Sequence, residues 1–322
     1  RARGAETLHR RPVIRLKDAL LDPSQPVLLY GTTPPRAGSD AELVANAAAR
    51  LAGRVRDLPL DGLVVYDIQD ESGRTHLPRP FAFTGTIDPR DYAKRLRDLT
   101  GRPAIAYKCV GEADEAAWGD WLAGTAARGI EFLSIVGRPT SGVRYPLTLS
   151  RAIRLAAAHP AGFTVGGVVI AERHSAERSE AARMLAKGLE GCSYFISQTV
   201  YHAHATERLL AAYARDCRGA GIAPRRVVLS FSPVGREKTM AFLRWLGVRM
   251  PAETERAILG AARPLARSIE ICRDNLRRIL AHDYAASVPL GVNVESVSIN
   301  RDEIDASVDL FHALAEVLAE RR

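Results

Sequence analysis

Residues 163–200 read FTVGGVVIA, then ERHSAERSEAARMLAKGLEG, then CSYFISQTV. An apolar, β-branched run ends in a charged break, a helix-forming stretch follows, and a second apolar run begins at 192. Neither run alternates polar with apolar residues. Both faces of each strand are therefore expected to be covered, as parallel strands with helices on one side and packed core on the other require. A strand–helix–strand unit of this kind predicts a parallel pair joined by a crossover helix.

The unit recurs in both directions. Upstream lie VLLYGTT (27–33), GLVVYDI (62–68), PAIAYKC (103–109) and IEFLSIVG (130–137), and downstream lie RVVLSFSPV (226–234) and PLGVNVESVSI (289–299). Helix-forming sequence follows each, with further helical matter at PAETERAILGA and LARSIEICRDNLRRILAHDY before the last strand. Eight such units predict an α/β fold, a (β/α)₈ TIM barrel with an extra helical segment before the eighth strand. The expected division is an N-terminal extension over 1–26 and a single barrel domain over 27–322. An open, doubly wound sheet is the rival, and it would place a glycine-rich phosphate loop after the first strand. The sequence there is GTTPPRAG, whose prolines remove amide donors. Ser39, with Glu42 three positions on, is the expected N-cap of the first helix after that strand.

At 322 residues with 47% hydrophobic content, the chain can bury one large core. The net charge of +8 is spread along the chain without a basic tract, which argues against a nucleic-acid surface. No apolar run approaches the roughly 18 residues of a membrane span. The start, RARGAETLHRRPVIRLK, is basic and lacks the apolar segment of a signal peptide. Cys109, Cys192, Cys217 and Cys272 are far apart, with no CxxC spacing. Buried thiols in a reducing cytoplasm, and no metal site, are the expectation.

In such a barrel, chemistry comes from the last residues of different strands and the loops beyond them. That position selects Tyr66, Asp67, Lys108, Arg138, Glu172, His174, Gln198, Tyr201, Ser230 and Glu295, among others. Each has a plainer reading. Asp67 could cap a strand or form a salt bridge, Lys108 could snorkel out of the mouth, and Arg138 could face solvent or clamp an anion. Glu295 is either a mouth acid or the internal partner of a base. Glu180 and Lys187, seven apart on one helix, could share a surface face. Gln198 ends an apolar strand, where an amide needs both its donor and its acceptor matched, and a heterocycle would match both.

Residues 162–198 resemble the central segment of methylenetetrahydrofolate reductases: a glycine-bearing strand, a loop with an acid and a histidine, a helix ending in lysine, and a strand closing at glutamine. DCRGAGIAPRRVVLSFSPV (216–234), WLGVRMP (245–251) and VSINRDE (297–303) are similar to further family stretches, and LLYGTTPPR and TAARGIEFLSIVGRP align more thinly upstream. The resemblance spans about residues 27–320. It implies the same barrel, a reduced folate as substrate and, in most members, an FAD that relays hydride from NAD(P)H. It places Gln198 on the pterin ring, Glu180 and Lys187 on the cofactor, and His174 in the same cofactor region. The departures are four. Gly31 stands where the family has its catalytic glutamate, Tyr66 replaces a threonine, Ala106 a histidine and Arg138 an aspartate.

A divergent member follows from these departures. The first expectation is an oxidoreductase on a folate-bound one-carbon unit, with FAD absent or weakly held and hydride passing directly from NAD(P)H. Asp67, Glu71 and Glu172 are the candidate acids for opening the methylene bridge, and Gln198, Lys108, Arg138, Tyr201 and Glu295 the candidate substrate contacts. The alternatives are a folate-binding methyl or methylene transferase or demethylase, and a non-enzymatic subunit derived from the reductase. A homo-oligomer or a partner protein fits each of them; nucleic acid and membrane do not.

Overall fold

The unit at 163–200 forms β5 (Thr164–Val169), α6 (Glu180–Glu190) and β6 (Tyr194–Thr199), with Val168 opposite Ile196 in a parallel pair. The computed structural model describes residues 15–69, 75–111, 113–137 and 145–320. The remaining strands are β1 (Val27–Thr32), β2 (Gly62–Val65), β3 (Ala104–Cys109), β4 (Phe132–Val136), β7 (Arg226–Phe231) and β8 (Leu290–Glu295). All eight pair in chain order and β8 closes on β1, so the sheet is the expected (β/α)₈ barrel.

The outer ring holds α2 (Ala41–Val55), α3 (Pro89–Thr100), α4 (Glu115–Ala127), α5 (Leu149–Ala157), α6 and α7 (Ala203–Gly219). After β7 come α8 (Glu237–Trp245), α9 (Ala252–Leu259) and α10 (Pro264–Leu280), the extra helical matter, and α11 (Arg301–Ala319) follows β8. The strands are shorter than their apolar runs. The run at 62–68 leaves the ladder after Val65 and the run at 289–299 after Glu295, and these tails become the loops around the mouth. The first cap lies one residue later than expected: Asp40, not Ser39, accepts the Leu43 amide at 2.7 Å.

Strand residues divide by parity into two apolar layers. Leu28, Tyr30, Ala106, Leu133 and Phe195 face the helices, whereas Leu29, Val64, Ile105, Tyr107 and Tyr194 fill the lumen. A short helix, α1 (Leu16–Leu21), joins the lumen cluster through Leu16, Ala19 and Leu20, at the end where the strands begin. Gly62 makes room for it, since a Cβ there would stand 2.8 Å from a Leu16 methyl. Arg226, 2% exposed, fastens this end by donating to the carbonyls of Leu20, Asp22 and Leu290. Burial pushes its guanidinium down to about 10, so it remains a cation at neutral pH.

At the opposite end, the segment after β2 reaches α8, three strands around the barrel. Phe81 packs edge-on to Phe242 at 5.4 Å, and the Arg79 guanidinium lies 4.5 Å from the Trp245 ring centre. All four cysteines are buried. No helix among the described residues is long and apolar enough to cross a membrane.

Candidate functional site

The floor of the mouth is built from residues two apart on neighbouring strands. On β8, Asn293 and Glu295 share the lumen face. Thr199 donates its hydroxyl to Glu295 Oε1 at 2.8 Å, and the Tyr66 phenol stands beside the same residue, Tyr66 and Glu295 both crowding the space over Gly31. Asn293 Nδ2 in turn donates to Tyr66 Oη at 2.9 Å and to Ser230 Oγ at 3.1 Å. Tyr66, Asn293 and Ser230 thus form one chain of bonds beside the Thr199–Glu295 pair, with Tyr66 packed edge-on against Tyr107 at 4.8 Å. Burial dominates the electrostatics. It raises the Glu295 carboxyl despite the Thr199 donor, and raises the Tyr66 phenol, which also feels the Glu295 charge. Asn293 Oδ1 is buried without a hydrogen-bond partner among the described residues.

Two local features make this floor. β6 uses three steps from Ile196 to Thr199 while β7 uses two from Val228 to Ser230, and the bulge turns Thr199 inward. Gly31 is the register partner of Glu295 across β1 and β8. A Cβ on Gly31 would stand 2.9 Å from Tyr66 Cε2 and Oη and 3.1 Å from Glu295 Cβ. Tyr66 fills the space that a side chain at 31 would need.

A second region is a cavity of about 650 Å³ between the ends of β4 and β5 and helices α5 and α6. Glu180 and Lys187 both line it, with Arg173, Arg178 and Arg183. Lys187 Nζ donates to the Val168 carbonyl at 2.8 Å, and burial lowers its pKa. Glu180, 3% exposed, accepts the Ile170 amide at 3.5 Å and lies 3.6 Å from Arg183.

The other expected residues are dispersed. Gln198 sits in the bulge and donates Nε2 to the Leu246 carbonyl at 2.6 Å, leaving Oε1 buried without a hydrogen-bond partner among the described residues. Half of its amide is thus used by the protein. Glu172 accepts the Arg249 amide at 3.4 Å with its carboxyl raised by burial, and His174 Nδ1, nearby in the chain, is buried without a hydrogen-bond partner among the described residues. Asp67 accepts the Cys109 amide at 3.0 Å and Gln69 Nε2 at 2.7 Å, and lies 3.7 Å from Lys108, which extends over Trp121. This pair joins the ends of β2 and β3 on the helix side, away from the lumen chain. Tyr201 is not at the mouth: its hydroxyl donates to the Ser232 carbonyl at 2.6 Å inside the core. Glu71 and Arg138 lie outside the described residues. No group of three or more potential metal ligands occurs among the described residues.

Thr199 and Asn293 escaped the sequence reading. Asn293 was legible, because Gly291, Asn293 and Glu295 alternate with valines along β8. Thr199 was not, because its inward turn depends on the bulge.

No protein-family model and no curated protein matches the sequence. Among solved structures, the chain is similar to a Clostridium thermocellum protein that binds two copies of 5-methyl-5,6,7,8-tetrahydrofolic acid. The two share 28% identity over 94% of this chain and 99% of that one, with a TM-score of 0.78. The likeness is to a binder of a reduced folate. A Xanthomonas albilineans dihydropteroate synthase with 4-aminobenzoic acid also matches, at 14% identity over 92% of this chain and 94% of the other, with a TM-score of 0.45.

Proposed function

We propose that this barrel binds a reduced folate in its mouth and acts on the one-carbon unit as a methylenetetrahydrofolate reductase-like oxidoreductase, taking hydride directly from NAD(P)H. The observation that carries the reading is the likeness, over nearly the whole of both chains, to a protein that binds 5-methyltetrahydrofolic acid. That molecule is the product of reducing a 5,10-methylene bridge. The mouth offers what a pterin edge needs. Asn293 Oδ1 and Gln198 Oε1 are buried acceptors without donors, and a ring N–H or amino group supplies them.

The chemistry asks little of the protein beyond placement. Stacking the nicotinamide on the folate ring converts hydride transfer into a step between pre-aligned partners. Of the residues that the resemblance assigns to the cofactor, Lys187 is spent on the Val168 carbonyl, which supports a site where FAD is absent or weakly held, whereas Glu180 Oε2 and His174 Nδ1 are buried without a hydrogen-bond partner among the described residues.

The test is NAD(P)H oxidation by flavin-stripped protein supplied with 5,10-methylenetetrahydrofolate. One NAD(P)H consumed per 5-methyl product is expected. Tight binding of 5-methyltetrahydrofolate with no NAD(P)H consumption would replace the reductase by a methyl or methylene transferase or demethylase. Loss of activity on stripping, restored by FAD, would return the flavin to the site.

A further inference from the structure

We infer that Glu295, on β8, is the proton donor of this barrel, held in place by Thr199 beside Tyr66 and standing in for the side chain that Gly31 lacks. The assignment rests on the reductase reading above.

Three observations support it. First, Glu295 is the carboxyl at the floor of the lumen, whereas Asp67 is engaged with Lys108 and the β3 backbone and Glu172 with the Arg249 amide. Second, its hydrogen-bond partner among the described residues is a hydroxyl, Thr199 Oγ1 at 2.8 Å, with the Tyr66 phenol beside it and no salt-bridge cation. A carboxyl anchored this way keeps a fixed orientation without an ion pair that would hold it ionised. The titratable groups that its charge feels are two buried phenols, Tyr66 and Tyr107, and burial holds the carboxyl above its ordinary range. Third, Gly31 and Glu295 are register partners, and Tyr66 occupies the volume over Gly31. A carboxyl projecting into the lumen from β1 and one projecting from β8 at this level reach the same space. With Gly31 bare, Tyr66 closes the gap beside the acid.

The step balances. The Glu295 carboxyl gives its proton to N10 as the bond from N10 to the methylene carbon breaks, leaving an iminium at N5. Hydride from NAD(P)H adds to that carbon with its electron pair, yielding 5-methyltetrahydrofolate and NAD(P)⁺. Glu295 is then reprotonated from solvent.

Glu295→Gln keeps the size and an oxygen that accepts from Thr199 but carries no transferable proton. Turnover is expected to fall by about 10²–10⁴-fold, the usual contribution of a positioned acid, with 5-methyltetrahydrofolate affinity changed far less. Wild-type turnover should fall as pH rises through the Glu295 pKa, and the variant's residual rate should lose that limb. Stability gives a second readout. A carboxyl whose folded pKa exceeds its unfolded one loses stability as pH climbs between the two, so Glu295→Gln should melt higher than wild type near neutrality and equally below about pH 4. Wild-type turnover with Glu295→Gln equally active, or with its pH limb intact, overturns this assignment alone. No NAD(P)H-dependent turnover by wild type removes the reductase reading, and the assignment with it.

Discussion

The two ends of the barrel treat buried polarity in opposite ways. Where the strands begin, Arg226 is almost fully buried, yet it donates to three backbone carbonyls and is surrounded by α1 and the lumen apolar layer. Where the strands end, Asn293 Oδ1 and Gln198 Oε1 are buried with no hydrogen-bond partner among the described residues, and Glu295 keeps a carboxyl that burial disfavours as an anion. Stability alone would favour the first arrangement at both ends, because a buried polar atom without a partner costs about 1–3 kcal/mol. The difference marks one end as built to hold the chain and the other as built to hold something else.

The comparison breaks if the ends respond alike. Arg226→Met keeps much of the volume but strands three carbonyls at once. Its expected cost is about 3–5 kcal/mol in chemical denaturation, with unchanged folate affinity in whatever fraction stays folded. A cost below about 1 kcal/mol would show that water or a backbone shift satisfies those carbonyls as well.

At the other end, Gln198→Glu replaces the donor to the Leu246 carbonyl with a second acceptor. Stability should fall by about 1–3 kcal/mol near neutrality, and folate binding should weaken roughly tenfold or more. Burial should raise the new carboxyl, and once protonated it can donate to Leu246 again. The stability gap to wild type should therefore close as pH falls, which melting curves across the acid range would check. A gap independent of pH would mean that the side chain has swung into solvent.

The smallest expected effect sharpens the packing argument. Gly31→Ala puts a methyl against the Tyr66 ring, at about 1–2 kcal/mol. Combined with Tyr66→Thr the penalty should largely vanish, and a double-mutant cycle on thermal stability measures that coupling. Strictly additive effects would deny that Tyr66 fills the space over position 31.

The barrel was legible in the sequence because each strand–helix unit repeats the same apolar run, polar break and helical stretch, from 27–33 to 289–299. The runs overstated the strands. Residues such as Tyr66 and Val297 are apolar or aromatic for reasons of lining and packing at the mouth, not of ladder pairing. The site was only partly legible. Strand-end position found Glu295, whose face follows from simple alternation. The same rule placed Tyr201 at the mouth, but Tyr201 lies beyond the end of β6 and its hydroxyl donates to the Ser232 carbonyl in the core, while the bulge at Ser197 and Gln198 gives Thr199 the lumen position that Gln198 would otherwise hold. One inserted residue exchanged the roles of two side chains, and no periodicity within β6 announces it.

The helix α1 and the filled lumen above it have a kinetic consequence. Among the described residues, Leu16, Leu20 and the side-chain layers up to Tyr107 pack the lumen below Glu295, so the strand-end opening is the route by which the proposed reactants reach it. Two reactants stacked on that floor must queue. The deeper one enters first and leaves last, and an excess of the outer one, bound before the inner product has gone, delays its escape. For the proposed reductase, compulsory-order kinetics with inhibition by the outer reactant are thus the expected consequence of a barrel packed from below.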